Sequence, residues 1–232
     1  MTIMGVDNSK MLIPSFYDAI FNKPHQVWQP FMEWTENNID NLIDNPVVND
    51  IPFVSAITNG IKLGLDVRAR FLLKKTTLFI EELKSTSVDQ EKLDNYRKKV
   101  EKNKEYLYRE LENVLIYLDK ISEPEKAKYL AAVYKAYIYE QISYTEMRDY
   151  FSVTDRLFLS DFEEIKRVYP KEGITVGDNI NDSDFRLLSL GIFNDDNRFM
   201  NTRFLKGPDM SSFSLRFSRF GEQYAGIIGK IK

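Results

Sequence analysis

The sequence predicts a mainly α-helical protein, with a helical bundle followed by a small C-terminal winged-helix-like α+β module. Apolar residues recur every three to four positions through most of residues 51–158, which is the period of an amphipathic helix. Capping-box patterns mark helix starts within the same range. A single segment, Ser212–Ser218, alternates strictly between polar and apolar residues as a half-buried strand does.

Composition agrees with a globular protein. The 232 residues are 43% hydrophobic and 29% charged, so the chain can bury a sizeable core. The absence of cysteine excludes disulfides and thiolate ligands, and the single histidine, His25, excludes a multi-histidine zinc site. The chain shows no signal-peptide pattern and no uncharged run long enough to span a membrane. We therefore expect a cytoplasmic protein.

Residues 1–44 are predicted to hold N-terminal helical segments after a loose terminus. Ile13–Phe21 is apolar at helical spacing, and His25–Ile43 continues the pattern with Pro30 inside it, where a helix kinks or restarts.

Residues 45–158 are predicted to form the bundle. It opens with one long helix, Ile51–Leu83, in which Gly60 and Gly64 let another helix approach closely. About four more helices follow, and capping boxes at Ser122–Glu125 and Ser143–Glu146 start the last two. The tyrosines between residues 129 and 150 recur at helical spacing. We therefore expect them to pack in the core with their hydroxyls at its rim.

Residues 159–232 are predicted to form the winged-helix-like module. Ser160 is expected to cap a short helix, and a second short helix, Phe185–Leu190, ends at Gly191. The alternating strand then leads to a last helix capped by Ser218. Short helices, a hairpin-like region and a final helix follow one another in the order of a winged helix.

The C-terminal module carries a pattern of about 45 residues in which Gly191 and Ser218 are expected to cap helices and the apolar members to pack in the core. Its residues are Leu187, Leu190, Gly191, Ile192, Phe193, Phe213, Leu215, Ser218, Phe220, Gly221 and Tyr224. This pattern resembles the abortive-infection alpha (Abi-alpha) group among phage- and prophage-associated proteins of Gram-positive bacteria. The resemblance implies a role in phage defence or phage–host conflict, and it carries no catalytic residues.

The function expected from these features is that of a non-enzymatic interaction or effector protein. Residues 62–75 hold five Lys or Arg and one Asp, whereas the whole chain has a net charge of −3. Such a cationic segment suits an acidic protein surface or anionic lipid headgroups. The alternative is that acidic residues of the bundle, between Glu101 and Glu112, neutralise it. The expected partner-binding residues are Arg68, Arg70, Lys74 and Lys75.

A winged-helix DNA-binding transcriptional regulator is the second interpretation. The predicted third helix offers only Arg186 and Ser189 to a major groove. Binding is therefore expected to be weak, salt-sensitive and directed at phosphate. The candidate phosphate-binding residues are Arg198, Arg203, Arg216 and Arg219.

Enzymatic activity is not expected. The adjacent pairs Glu81-Glu82 and Glu163-Glu164 lie on predicted helices, where neighbouring side chains point about 100° apart and do not share a site. We expect no metal, cofactor or small-molecule substrate. The expected partner is another protein or a second copy of the chain, with peripheral membrane contact as a further interpretation.

Overall fold

The protein is mainly helical and ends in a small α+β module, as predicted. The structure is a computed structural model that describes residues 6–22, 51–62, 66–85, 89–169, 181–195 and 215–231. Within these ranges it has ten helices and one two-stranded antiparallel sheet. The chain forms two compact units, Met1–Met147 (unit 1) and Arg148–Lys232 (unit 2).

Unit 1 is entirely helical over its described residues. Its helices are α1 (Val6–Phe21), α2 (Pro52–Lys62), α3 (Asp66–Leu83), α4 (Gln90–Glu101), α5 (Lys104–Lys120), α6 (Lys126–Ile138) and the start of α7 (Tyr144–Arg156). Helix α1 begins well before the segment that the sequence predicted. The interpretations placed on His25, Pro30 and the rest of residues 23–50 lie outside the described part of the chain.

The single long helix predicted for Ile51–Leu83 is instead two helices. Helix α2 ends at Lys62 and α3 begins at Asp66. The ring of Phe16 lies 5.2 Å from Phe53, at the start of α2, and 6.1 Å from Phe79, near the end of α3. The chain therefore reverses direction between the two helices. Gly64, for which a close helix approach was predicted, lies outside the described part of the chain.

The core of unit 1 forms between α3 and α6, with α1, α2 and α5 packed around them. Phe79 of α3 and Tyr134 of α6 are both completely buried, and their ring centroids are 5.8 Å apart. The tyrosines of α6 thus pack in the core, as the sequence predicted. The buried position of the Tyr134 hydroxyl differs from the expected place at the rim, for a reason given below.

The start of α6 also differs from the prediction. Ser122 was expected to cap it, but its hydroxyl donates to the neighbouring Glu123 carboxylate instead. The amides of Lys126 and Ala127 bond to carbonyls three residues back, which gives a 3₁₀-type turn ahead of the helix. At α7 the predicted capping box is confirmed, since Ser143 Oγ and the Glu146 carboxylate each accept the other residue's amide.

Unit 2 contains the rest of α7, then α8 (Leu159–Val168), α9 (Asp182–Ser189), β1 (Phe193–Asp195), β2 (Leu215–Phe217) and α10 (Arg219–Ile228). Ser160 does not cap α8. The Phe158 amide donates to the Asp161 carboxylate at 2.8 Å, so the helix starts two residues earlier than predicted. Helix α9 likewise begins before the predicted Phe185, with Asn181 as its N-cap.

The sheet pairs β1 with β2, so that Phe193 faces Phe217 and Asn194 faces Arg216. The described strand β2 lies inside the predicted Ser212–Ser218. Gly191, at a φ of +75°, ends α9, and Ser218 caps α10 through the amide of Gly221. Both predicted caps are confirmed.

Candidate functional site

The predicted basic residues of α3 lie beside acidic residues of the bundle. The side chain of Arg68 is 58% exposed, and its Nε donates to Asp119 Oδ1 at 2.9 Å. Lys75 is buried, and its Nζ donates to the Asp119 carbonyl at 3.1 Å. Burial lowers the pKa of the Lys75 ammonium, and Asp119 opposes that shift. Lys75 is therefore held within unit 1 and is not displayed.

Lys74 and Arg70 complete the predicted set. Lys74 Nζ lies 4.0 Å from Glu125 Oε1, and Arg70 is half-buried. Neutralising carboxylates were expected between Glu101 and Glu112. The carboxylates beside Arg68 and Lys74 are instead those of Asp119, at the end of α5, and Glu125, just before α6.

The first half of α3 exposes apolar side chains next to Arg68. Val67 is 69% exposed and Phe71 is 46% exposed. Residues four apart share one face of a helix, so these two side chains form a single exposed patch. We name Val67, Arg68 and Phe71 the α3 surface.

The predicted phosphate-binding residues belong to unit 2. Arg216 in β2 and Arg219 at the start of α10 are exposed. Arg198 and Arg203 lie outside the described part of the chain.

The predicted recognition helix, α9, holds its arginine in an internal contact. Arg186 donates to Asp161 Oδ1 at 2.7 Å, and its guanidinium lies 4.7 Å from the centroid of the Phe158 ring. The exposed residues of α9 include Asp182 and Phe185. An acidic and an aromatic side chain suit the major groove of DNA poorly, because specific readout there relies on basic and amide groups.

A buried carboxyl that was not predicted from the sequence lies in the core of unit 1. Glu110 of α5 is 1% exposed. The Tyr134 hydroxyl donates to its Oε1 at 2.7 Å, the Tyr137 hydroxyl donates to its Oε2 at 2.9 Å, and the Tyr96 hydroxyl also donates to Oε1. We name these four residues the Tyr–Glu110 cluster. It joins α4, α5 and α6.

Burial is the main cause of the pKa shifts in this cluster. Burial raises the pKa of the Glu110 carboxyl, against the opposing effect of the three tyrosine hydroxyls and of Lys99. Burial is also the largest cause that raises the pKa of the tyrosine hydroxyls, and the Glu110 charge adds to it. The tyrosines therefore stay protonated and act as donors.

A signal for Glu110 was present in the sequence. It lies three residues after Leu107 and four residues before Val114, and both of these are buried on α5. That spacing places the carboxyl on the apolar face of the helix. A buried carboxyl needs hydrogen-bond partners, and the tyrosines at helical spacing in α6 supply two of them.

A cleft of about 380 Å³ lies beside the cluster. Tyr96 and Tyr137 line it together with Ile142 and with polar residues that follow α6. Glu140, one of these, has a φ of +56°. The amide of Glu140 bonds to the Tyr137 carbonyl and that of Gln141 to the Ala136 carbonyl. This is the Schellman ending that usually carries glycine at this position.

The chain was compared with protein-family models, with curated proteins and with solved structures. None of them matches. In the described ranges no helix has the length and hydropathy needed to cross a membrane. The same residues contain no cluster of three or more acidic, histidine or cysteine side chains placed to hold a metal ion.

The two sites differ in what they can do. The Glu110 carboxylate accepts bonds from three tyrosines, which stabilises the packing of α4, α5 and α6. The α3 surface joins exposed apolar groups to an arginine. That combination is common where two proteins meet.

Proposed function

We propose that this chain is a non-enzymatic effector protein that acts by binding another protein through the α3 surface. The observation that carries the proposal is the joint exposure of Val67 and Phe71 beside Arg68. The setting we propose is phage–host conflict, which is the one implied by the resemblance to the abortive-infection group.

The exposed apolar and aromatic side chains of the α3 surface favour a protein partner over a lipid surface. Attraction to anionic lipid depends mainly on the number of cationic side chains at the surface. Arg68 and Lys74 lie beside carboxylates and Lys75 is buried, so the cationic character of α3 is much reduced. Aromatic and arginine side chains are the residues that most often dominate protein interfaces. An acidic rim on the partner would suit Arg68.

The test is a phage-challenge assay in a bacterial host that expresses the chain. The double substitution Val67→Ser with Phe71→Ser removes the apolar patch and leaves Arg68 in place. Both side chains are exposed, and substitution at exposed positions usually changes stability by about 0.5 kcal/mol or less. We therefore expect an unchanged Tm together with a loss of protection, seen as at least a tenfold rise in plaque count.

Tyr108→Ser is the matched control. Tyr108 is 40% exposed on α5 and lies about 16 Å from Asp119 along the helix, at 1.5 Å per residue. We expect this variant to protect like the unchanged chain. Full protection by the double variant would overturn the proposal.

Two further experiments would identify other modes of action. Sedimentation with phosphatidylglycerol vesicles that is lost in the double variant would assign the α3 surface to lipid. Loss of protection in Arg216→Gln with Arg219→Gln, together with full protection by the double variant, would favour the winged-helix DNA-binding alternative. Both variants are first checked for an unchanged Tm.

A further inference from the structure

The α3 surface continues onto α5 through an ion pair. Arg68 Nε donates to Asp119 Oδ1 at 2.9 Å. Ile116, one turn earlier on α5, is 54% exposed. Residues three apart are neighbours on a helix surface, so Ile116 lies next to Asp119. Three exposed apolar side chains, those of Val67, Phe71 and Ile116, therefore lie near this ion pair.

The ion pairs beside these apolar groups carry no net charge. Arg68 lies against Asp119, and Lys74 Nζ lies 4.0 Å from Glu125 Oε1, which makes two cations and two anions. Such a surface complements a copy of itself, because a twofold rotation can place each cation against an anion of the other copy. Asp119 of the second copy is then the acidic group that Arg68 meets on its partner.

The spacing of the apolar side chains on α3 also suits a twofold arrangement. Val67 and Phe71 are one turn apart on the same face of the helix. If two copies of α3 pack antiparallel about an axis midway between these positions, Val67 of each copy lies opposite Phe71 of the other. A large ring then meets a smaller side chain twice, which favours interdigitated packing.

From this combination we propose that the protein bound by the α3 surface is a second copy of this chain, in a twofold dimer in which Arg68 of each copy faces Asp119 of the other. The inference rests on the proposed function, since it names the partner of the same surface. The dimer removes the exposed apolar groups of both copies from water, which is the dominant favourable contribution to most associations between proteins.

Sedimentation-velocity ultracentrifugation of the purified full chain measures the association. Between about 1 and 100 µM, a range that covers weak dimers, the average mass should rise from that of one chain toward that of two. Val67→Ser with Phe71→Ser should raise the dissociation constant about tenfold or more, because an aromatic anchor often dominates the binding energy of an interface. Tyr108→Ser, which removes another exposed ring, is the matched control and should associate like the unchanged chain.

Two charge reversals test the twofold geometry. Arg68→Glu gives each copy two carboxylates at the contact, and Asp119→Arg gives each copy two guanidinium groups, so neither variant should self-associate. An equal mixture of the two variants restores both contacts between opposite charges and should form a dimer that contains one copy of each. Circular dichroism and Tm first check that both variants are folded.

Three results would overturn the inference. They are an unchanged chain that stays monomeric up to about 100 µM, charge-reversed variants that self-associate as the unchanged chain does, and folded charge-reversed variants whose mixture stays monomeric. If Asp119→Arg fails to fold, the apolar double variant decides the matter, and its undiminished association would overturn the inference.

The phage-challenge assay separates this inference from the proposed function. A monomeric chain whose apolar double variant loses protection would leave the proposed function in place with a different protein as the partner. A dimer that the double variant loses while it still protects fully would instead overturn the proposed function and keep the dimer.

Discussion

At the residue scale, Glu110 is the most consequential side chain of unit 1. Three hydroxyls from two other helices converge on its carboxylate, and their positions depend on it. An acceptor removed from such a site leaves buried donors unsatisfied, at about 1–3 kcal/mol each. The polar centre of the bundle is therefore stabilised as a set and not as separate pairs.

Replacement of Glu110 by glutamine should change how stability depends on pH. Burial raises the carboxyl pKa in the folded state, so between the unfolded and folded pKa values the folded protein holds a proton that the unfolded chain has released. Wild-type stability therefore falls as pH rises through that window. The glutamine variant does not titrate there, so its Tm relative to wild type should rise as the pH increases from about 4, the ordinary range of a glutamate, through the raised folded-state pKa.

Thermal unfolding of both proteins across that range measures the difference. The remaining titratable groups are common to both proteins and largely cancel in the comparison. A Tm difference that stays constant or falls with pH would mean that the three hydroxyls keep the carboxylate ionised throughout.

At the element scale, the start of α10 lies very close to the residue before β1. A Cβ built on Gly221 would lie 2.0 Å from the Ile192 carbonyl oxygen, which is backbone and cannot turn aside. The Ser218 amide donates to the same carbonyl at 2.9 Å. The start of α10 is thus fixed against the end of the α9 turn, and only glycine fits there.

Gly221→Ala should therefore lower the free energy of unfolding by about 1–3 kcal/mol or more, the usual effect of overpacking. Gly191→Ala is the matched comparison, because its added Cβ meets nothing within 4 Å and its φ of +75° is the only obstacle. That strain is about 1–2 kcal/mol. Chemical denaturation should rank Gly221→Ala as the more damaging change, and the reverse order would contradict the packing argument.

The sequence predicted elements best where a local interaction determines them. The caps formed by Ser143, Ser218 and Gly191 need only neighbouring backbone groups. The break between α2 and α3 was missed because both helices share one apolar stripe, and only their packing around Phe16 shows the reversal. Ser160 was a plausible cap, but the Asp161 carboxylate reaches the Phe158 amide.

At the scale of the whole molecule, each unit has a buried core of its own. Leu111 and Leu130 are completely buried in unit 1, and Phe162 and Leu187 are completely buried in unit 2. Proteins built this way open in cooperative parts whose stabilities differ. A substitution that disrupts one core should then accelerate hydrogen exchange mainly at the backbone amides of the same unit.

Hydrogen exchange on the full chain tests this division. In Gly221→Ala we expect faster exchange at the amides of α8 and α10, with little change at α3 and α6. Glu110→Leu, which removes the acceptor in unit 1, is the reciprocal variant and should show the opposite pattern. Equal acceleration in both units by either variant would show that the chain opens as one cooperative body.

The fold class was predictable at this scale because helical periodicity covers most of the chain. The candidate sites were harder to predict from the sequence. Arg68 and Lys74 stood out by charge, but their partners Asp119 and Glu125 lie about 50 residues further along the chain. Glu110 is one of 35 acidic residues in the sequence, and its role depends on tyrosines that only the packing of three helices brings together.

The Tyr–Glu110 cluster also restricts the order in which substitutions can accumulate in a lineage. An apolar residue introduced first at Glu110 would leave three tyrosine hydroxyls without their acceptor. The resulting loss of free energy would be a large share of the stability of a typical domain. Exchange of the tyrosines for phenylalanine, one at a time, leaves the carboxylate with its remaining donors at each step. A descendant with an apolar centre is therefore expected to have lost the hydroxyls before the carboxyl, or to have passed through glutamine at this position.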